Sequence, residues 1–277
     1  MINRIYHSDN LPILKDMPAS SIDLVYIDPP FFTGQKFKSK RGQHAFEDKF
    51  ESLNSYIDFI YYRALEIHRV LKDTGSIFLH CDWRASHRLR AMLDYIFGEE
   101  NFANELIWFY PDTPGRSSKY YSRKHDNIYF YSKTQDYIFN RDNIRTPILE
   151  KSKKRYKTSR KLGSKEYIGG ISSYIGKIPE DVFRISSVKG NSYEHCGYPT
   201  QKPIRLLKRI INMACPIGGT VADFFSGSGT TLAAAHSLNR NWIGVDNSKE
   251  AIATIVHRFQ KDYNFQVPVF KEYLCQD

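Results

Sequence analysis

The run Asp28, Pro29, Pro30 and Phe31 brings together a carboxylate, a bare carbonyl and an aromatic ring. Two consecutive prolines fix φ and remove two N–H donors, which leaves a rigid turn with outward-pointing carbonyl oxygens. Asp28 and the Pro29 carbonyl can accept hydrogen bonds from both N–H groups of an exocyclic amine, while Phe31 stacks on the attached base. Such bonds draw the nitrogen lone pair out of conjugation, so that the nitrogen can attack a methyl group. A Pro-Pro turn capped by an aspartate is the structural alternative.

A second run, residues 223–231 (DFFSGSGTT), carries two glycines between an apolar stretch and a helical pattern. Glycines let the backbone approach a ligand closely, and a helix N-terminus favours a negatively charged group. Asp246 follows at the distance where an acid binds the ribose of an adenosine-type cofactor. Leu232 stands where a dinucleotide fingerprint has its third glycine, which disfavours NAD and FAD. The Gly-Lys-Ser/Thr of a Walker A loop is also missing from this run.

The elements that must position these runs alternate between short apolar stretches and helical patterns, which indicates an α/β sheet with helices on both faces. Residues 21–28 read as a buried strand, so Asp28 falls at the edge where open α/β sheets bind ligands. Two aromatic runs at 105–110 and 126–132 predict an antiparallel pair at a sheet edge. The other predictions are helices at 54–72, 84–97, 203–214, 230–238 and 249–262, and strands at 75–82, 220–225 and 241–246.

Positive charge is concentrated in one part of the chain. The formal net charge is +10, and residues 140–199 carry 13 Lys and Arg against 6 Asp and Glu. A solvated surface is one interpretation of this charge, and a polyanionic partner such as DNA is the other. The second interpretation predicts phosphate contacts from the basic residues of the run 151–161, namely Lys151, Lys153, Lys154, Arg155, Lys157, Arg160 and Lys161.

The four cysteines stand alone without CxxC spacing, which argues against a disulfide framework or a zinc site. We therefore expect no metal and a reducing compartment. The first residues carry no apolar signal region, and no stretch approaches the roughly 18 apolar residues of a membrane span. These features predict a soluble, unsecreted, cytoplasmic protein.

The DPPF motif at 28–31 and the FSGSG motif at 225–229 together resemble the amino-methyltransferases of DNA, and their order matches the circularly permuted β class. The segments TQKP at 200–203, HCDW at 80–83 and FGEENF at 97–102 are also similar to this family. The resemblance covers nearly the whole chain except about residues 141–194. It implies S-adenosylmethionine as cofactor and methylation of an amino group on a base flipped out of double-stranded DNA.

The resemblance also implies an architecture. We expect a doubly wound, mostly parallel Rossmann-like α/β sheet with an antiparallel edge hairpin and an inserted target-recognition region. The catalytic half would span 1–139, the basic target-recognition region 140–199 and the cofactor-binding half 200–277. The polar segment 33–49, directly after the first motif, is expected to close over the base as a lid.

Residue roles follow from the same resemblance. Asp9 would contact the cofactor adenine, Asp223 the methionine amino group and Asp246 the ribose. Thr200 and Lys202 would lie near the methionine carboxylate. The glycine loop would add Phe225, Ser226, Gly227 and Gly229 to the cofactor site. The catalytic set would be Asp28, Pro29, Pro30 and Phe31.

The target base is inferred from Asp28, because aspartate at this position is typical of adenine N6 enzymes, whereas cytosine N4 enzymes usually have serine. Phe31 replaces the commoner tyrosine and keeps the ring needed for stacking, while Phe32 receives no role. Cytosine N4, RNA or a protein amide are alternative substrates, and an inactive DNA-binding partner subunit is the alternative from another class. The family also suggests a homodimer and a cognate restriction endonuclease as partners.

Overall fold

Strands and helices alternate along the chain in the computed structural model, which describes residues 2–38, 44–112, 118–147 and 176–271. The strands are β1 Arg4–His7, β2 Ile22–Ile27, β3 Lys36–Lys38, β4 His44–Glu47, β5 Leu71–Cys81, β6 Phe102–Phe109, β7 His125–Ser132, β8 Val182–Arg184, β9 Thr220–Asp223, β10 Asn241–Asp246 and β11 Val269–Lys271. The helices are α1 Asn10–Asp16, α2 Leu53–Val70, α3 Ser86–Phe97, α4 Ile204–Ala214, α5 Thr230–Ser237 and α6 Lys249–Tyr263.

Nine of the described strands form one sheet in the order β11-β1-β10-β9-β2-β5-β7-β6-β8. All neighbours from β11 to β5 are parallel, β7 is antiparallel to both β5 and β6, and β8 runs parallel to β6. The mostly parallel sheet and the antiparallel pair are therefore confirmed. The pair is not outermost, however, because β8 lies along the outer side of β6. A separate hairpin consists of β3 and β4.

Both faces of the sheet are covered by helices, as the long apolar strands require. Every residue of β2 is buried. One apolar layer contains buried residues of α1, α2 and α3, such as Leu14, Ile60 and Leu89. The other contains residues of α4, α5 and α6, such as Ile210 and Leu232. The doubly wound arrangement is thus confirmed, and it leaves the carboxyl ends of the central strands open for a site.

The region 140–199 is attached to this sheet through β8, and its two described parts are joined to each other. A bridge joins Thr146 to Lys177, and β8 continues the main sheet beyond β6. Phe183 and Ile185 are buried in the same apolar layer as α4. The basic residues 151–161 lie outside the described residues. The division of the chain into three regions stays a prediction.

Three further findings concern the described part of the chain. None of its helices combines the length and apolar character that crossing a membrane requires. It holds no cluster of three or more His, Cys, Asp or Glu side chains suited to a metal ion. Cys81, Cys196 and Cys215 are free thiols.

Candidate active site

Three central strands end at one edge of the sheet and carry the acidic residues of both sequence motifs. Asp28 follows β2, while Asp223 and Asp246 are the last residues of β9 and β10. Since β2, β9 and β10 are parallel neighbours, the two motifs meet although they are far apart in the chain. Two cavities open at this edge, with volumes of about 670 Å³ and about 380 Å³. They share the wall residues Phe31, Tyr198, Pro199, Thr200, Gln201 and Lys202.

The larger cavity collects nearly all of the residues predicted to hold the cofactor. Gly229 is the exception, because it caps the N-terminus of α5 and does not line the cavity. The catalytic motif lines the same space, so the structure brings the two predicted sets together. The predicted residues in its wall are Asp9, Asp28, Pro29, Pro30, Phe31, Thr200, Lys202, Asp223, Phe225, Ser226, Gly227 and Asp246.

The glycine loop needs both of its glycines for different reasons. Gly227 has φ +47° and donates its backbone N–H to Oδ2 of Asp246 over 2.7 Å. Gly229 has φ +70°, and a Cβ there would lie 2.7 Å from Cγ1 of Ile255. Ser248 donates its N–H to the other carboxylate oxygen of Asp246 over 2.9 Å. The hydrogen bonds to Asp246 therefore hold the loop against the end of β10.

Burial gives the carboxylates of this cavity unusual proton affinities. Asp223 is 2% exposed, and burial raises its pKa to about 7, although the backbone N–H of Phe225 donates to Oδ1 over 3.0 Å. Burial also raises the pKa of Asp246. A buried carboxylate of this kind is stabilised by a cationic ligand group. The size of the cavity lies within the range of small-molecule sites.

Asp9 and Asn10 connect the start of α1 to the glycine loop. Asp9 caps the helix by accepting from the N–H of Leu11 over 2.8 Å, and it forms an ion pair with Arg63 at 2.7 Å. Asn10 is buried and donates from Nδ2 to the backbone oxygen of Phe224 over 2.6 Å. Burial lowers the pKa of Arg63, and the charge of Asp9 opposes that effect. The Asp9 carboxylate thus has a fixed position at the cavity wall.

The two carboxylate oxygens of Asp28 have different surroundings. Oδ2 lies 2.5 Å from Nζ of Lys202, which forms an ion pair with it. Oδ1 is buried and accepts no hydrogen bond from any group in the described part of the chain. Nδ1 of His80 lies 3.9 Å from Oδ1. A buried acceptor without a hydrogen-bond donor lowers the stability of the protein. Oδ1 is therefore available to accept a hydrogen bond from a ligand N–H group. The ion pair also holds Lys202 beside Asp28, the residue that the sequence predicts to be catalytic.

A buried polar chain supports Asp28 and Phe31 from below. The Tyr26 hydroxyl lies 2.7 Å from Nδ1 of His80, whose Nε2 lies 3.2 Å from Oδ2 of Asp126. Tyr110 donates its hydroxyl to Oδ1 of Asp126 over 3.0 Å. Burial is the largest influence and would raise the pKa of Asp126, but the interactions with His80, the charge of Lys202 and the hydrogen bond from Tyr110 together outweigh it, so the pKa is lowered. His80 is fully buried with its ring centroid 5.5 Å from that of Phe31, so it packs beneath the motif.

The smaller cavity lies on the side of Phe31 where β5 and β6 end and β7 begins. Asp126 and Tyr110 belong to its wall, so the buried chain below Phe31 reaches this cavity. A planar ring entering here would meet the Phe31 ring near Asp28. Apart from the residues it shares with the larger cavity, its wall consists of Asp82, Trp108, Tyr110, Asp126, Ser187, Val188 and His195.

Asp48 fixes the backbone that follows the DPPF motif, a role that the sequence did not reveal. Its carboxylate accepts from the N–H of Phe32 over 2.7 Å and from the N–H and hydroxyl of Thr33 over 2.8 Å and 2.6 Å. Phe32 has φ +58°, a conformation that a non-glycine residue rarely adopts. Its ring stacks on that of Tyr56. Phe32 thus anchors the motif to α2.

The segment after the motif forms the β3–β4 hairpin, and Phe37 and Lys49 line the larger cavity. This position is beside the cofactor residues. Closure of the segment over a base stays a prediction.

Fold and site together indicate a methyltransferase with a Rossmann-like sheet, in which Asp28 of the DPPF motif lines a cavity of the size of a small-molecule site. The model of the DNA methylase family of N6 and N4 methyltransferases matches residues 22–257. The chain belongs to this family. Its cofactor is S-adenosylmethionine and its substrate is DNA.

Individual relatives agree with this assignment. The type II methyltransferase M.BglII of Bacillus subtilis is 32% identical over 91% of this chain and 67% of its own length. The DNA adenine methyltransferase YhdJ of Escherichia coli is 30% identical over 90% of this chain and 79% of its own. Among solved structures, the cytosine-N4-specific PvuII DNA methyltransferase has a TM-score of 0.68 and 22% identity, covering 95% of this chain and 87% of that chain. The M1.HpyAVI–SAM complex has a TM-score of 0.61, 19% identity and coverages of 92% and 98%.

Proposed function

We propose that this chain transfers a methyl group from S-adenosylmethionine to the N6 amino group of an adenine flipped out of double-stranded DNA. The observation that carries the proposal is Oδ1 of Asp28, a buried acceptor that none of the described groups engages. It belongs to a residue of the larger cavity and adjoins Phe31, which lines both cavities. An amine in the smaller cavity could therefore donate to Asp28 while facing a methyl group in the larger one.

Two observations favour adenine as the target. Aspartate occupies the first position of the catalytic motif, as in adenine enzymes of the family that the motif resembles. The relative YhdJ, 30% identical to this chain, is named a DNA adenine methyltransferase. Cytosine N4 is the second candidate, because the PvuII enzyme that shares the fold is cytosine-N4-specific.

The cofactor residues keep the roles that the family resemblance implies. Asp223 would pair with the methionine amino group, Asp246 with the ribose hydroxyls and Asp9 with the adenine, while the glycine loop would approach the cofactor through its backbone. Thr200, with φ +56° in the wall between the cavities, would lie near the methionine carboxylate. For Lys202 the ion pair with Asp28 supports a different role, namely orienting the catalytic carboxylate. When bound, S-adenosylmethionine supplies an electrophilic methyl group on a sulfonium.

The residues of the chain then position and polarise the amine. Asp28 Oδ1 and the Pro29 carbonyl accept its two N–H groups, and Phe31 stacks on the base. Extrusion of a base costs a few kcal/mol, and stacking at about 1–3 kcal/mol per base offsets part of that cost. The nitrogen lone pair forms the N–C bond as the C–S bond breaks and its electrons remain on sulfur. The surplus proton passes from the nitrogen to Asp28 and then to water.

The test is incubation of the protein with labelled S-adenosylmethionine and mixed-sequence duplex DNA, followed by nucleoside digestion and mass spectrometry. We expect N6-methyladenine, lost in Asp28→Ala. Asp73→Ala is the matched control, because the Asp73 side chain is 78% exposed and far from the motif in sequence. Formation of N4-methylcytosine instead would show that the second candidate, cytosine N4, is the target. Absence of any methylated nucleoside with demonstrated cofactor binding would favour RNA, a protein amide or an inactive partner subunit.

We also propose a role in restriction-modification, since several relatives are named type II methyltransferases and another is the Mod subunit of a type III restriction-modification enzyme. A cognate restriction endonuclease, a homodimer and a cytoplasmic location belong to the same proposal. Protection of methylated DNA from cleavage in cell extracts of the source organism would test for the cognate restriction endonuclease.

A further inference from the structure

Trp83, Tyr120 and Arg123 form an exposed stack at the rim of the smaller cavity. The guanidinium carbon of Arg123 lies 3.8 Å from the ring centroid of Trp83 and 4.5 Å from that of Tyr120. Trp83 is 46% exposed and Tyr120 59% exposed. The cation therefore lies against two aromatic rings that remain open to solvent. We refer to these three residues as the aromatic–arginine stack.

The sheet explains why the stack lies beside the target cavity. Trp83 directly follows Asp82, which lines the smaller cavity. Strands β5 and β7 are antiparallel neighbours with Cys81 opposite Asn127, so the end of β5 meets the start of β7. Arg123 lies just before β7, whose second residue, Asp126, lines the same cavity. Residues distant in sequence thus converge on one rim.

The composition of this rim suits a nucleic acid strand. Residues 118–125 (SKYYSRKH) contain three Lys or Arg, two tyrosines and no acid. Aromatic rings stack on nucleobases irrespective of sequence, and guanidinium groups bind phosphates and stack on rings. The charge of Arg84 in this area is balanced by its ion pair with Asp82. The net positive charge and the exposed rings are therefore contributed by the 118–125 segment and Trp83.

We propose that the aromatic–arginine stack binds the DNA next to the flipped base. Flipping leaves a neighbouring base without one of its stacking partners, and an aromatic surface at the cavity rim can replace that partner. Arg123 would keep the two rings apart and attract the adjacent phosphate. This inference rests on the proposed function, because it takes the smaller cavity as the base site. It assigns DNA contact to residues outside the basic run 151–161.

Tryptophan fluorescence tests the contact directly. The chain has three tryptophans, and Trp108 and Trp242 are 4% and 0% exposed, so Trp83 dominates quenching by acrylamide. We expect duplex DNA to quench tryptophan emission and to reduce acrylamide quenching. Trp83→Phe should remove both responses while keeping DNA affinity within about twofold, because it retains a stacking ring.

Affinity measurements on full-length variants complete the test. Trp83→Ala should raise the Kd for DNA at least about fivefold, the lower end of the effect of losing one base–aromatic stack. Arg123→Gln should reduce the slope of log affinity against log salt by about 1. Both should leave the Kd for S-adenosylmethionine unchanged. Tyr95→Ala, which removes an 80% exposed ring from α3, is the matched control and should bind DNA like wild type.

The outcomes separate this inference from the proposed function. Unchanged tryptophan emission and acrylamide quenching on DNA binding, with wild-type affinity in Trp83→Ala, would overturn the inference even if N6-methyladenine forms. Quenching abolished in Trp83→Phe would support the DNA contact even if no methylated base appears. If Trp83→Ala fails to fold, the comparison of wild-type and Trp83→Phe fluorescence decides whether Trp83 contacts DNA.

Discussion

Lys202 and Asp28 form an ion pair across 174 residues of sequence, with Nζ 2.5 Å from Oδ2. Both side chains are largely buried, at 10% and 18% exposure. The Lys202 ammonium also lies 5.0 Å from the ring centroid of Phe31. The pair ties the segment before the cofactor half to the catalytic motif. Because it occupies Oδ2, it leaves Oδ1 open as the acceptor that we propose for the substrate amine.

Lys202→Gln should lower kcat about 100-fold, the usual effect of misplacing a reacting group by about an ångström. The Kd for DNA should stay near the wild-type value. Single-turnover methylation and separate binding measurements check this. A raised KM for S-adenosylmethionine with unchanged kcat would instead place Lys202 at the methionine carboxylate. Lys208→Gln, on α4, serves as the control.

Asp223→Asn should change both cofactor binding and stability. The folded pKa of Asp223 is about 7, above the ordinary value of 3.8. The folded state therefore binds more protons between these values, and this group reduces the stability of the cofactor-free protein as pH rises from about 4 to about 7. At pH 8 the variant should be more stable than wild type by about 4 kcal/mol, the linkage free energy that these two pKa values imply, and below pH 4 the difference should vanish.

The same carboxylate predicts the pH dependence of cofactor affinity. In wild type, S-adenosylmethionine should bind more tightly as pH rises through about 7, because ionised Asp223 can pair with the ammonium group. Asp223→Asn should bind weakly with no such dependence. Calorimetric titrations between pH 6 and 8 measure this. A wild-type affinity independent of pH over that range would contradict the assignment.

Asp48→Ala should loosen the catalytic motif from a distance. It removes the shared acceptor of Phe32 and Thr33, and hydrogen bonds to a charged group are worth about 1.5–3 kcal/mol. Urea unfolding should show a loss of about 2–4 kcal/mol, and kcat should fall more than the affinity for S-adenosylmethionine. Asp48→Asn keeps one acceptor oxygen, so its stability and kcat should lie between those of wild type and Asp48→Ala. Wild-type kcat in a destabilised Asp48→Ala would limit Asp48 to a folding role.

Gly229→Ala and Gly218→Ala separate backbone conformation from steric contact. Both glycines have positive φ, +70° and +77°, but only at Gly229 would a Cβ meet Ile255, at 2.7 Å. We expect Gly218→Ala to cost about 1 kcal/mol. Gly229→Ala should cost about 1–3 kcal/mol more, as overpacking does. Equal losses in thermal or urea unfolding would show that the Ile255 side chain moves aside freely.

Neutralising Lys151, Lys153, Lys154 and Arg155 together to glutamine should weaken binding to all duplex sequences and flatten its salt dependence. The reason is that phosphate contacts contribute affinity without reading bases. Filter binding or anisotropy between 50 and 200 mM salt measures the slope. Wild-type affinity at every salt concentration would refute the DNA role of this run.

The central strands and the meeting of the two motifs followed from the sequence, because continuous apolar runs predict buried parallel strands whose carboxyl ends share one edge. Helix limits were less accurate. The predicted helix 54–72 begins at Leu53 and ends at Val70, and β5 starts at once. Gly75 lies inside β5, where a Cβ would be 2.9 Å from the Lys72 carbonyl oxygen. That close approach depends on strand register, which the sequence does not contain.

The supporting residues could not be predicted for a similar reason. Asp126 reaches the site because β7 is antiparallel to β5, which brings the start of β7 to the edge where β5 ends. Asp48 acts through a backbone turn that no local pattern announces. His80, which the sequence marks only as part of the HCDW segment, packs beneath Phe31. Each of these roles depends on contacts between distant segments.

The bridge between Thr146 and Lys177 has a consequence for how this enzyme can diversify. It brings the described residues on either side of 148–175 to neighbouring points of the fold. Doubling the length of a chain segment between such points costs only about 0.6 kcal/mol in closure entropy. Segments of different length and sequence can therefore be exchanged at this stem while Asp28, Lys202 and the glycine loop keep their geometry. If this region recognises the target, as we propose, its replacement would change the sequence preference and leave the methyl-transfer chemistry unchanged.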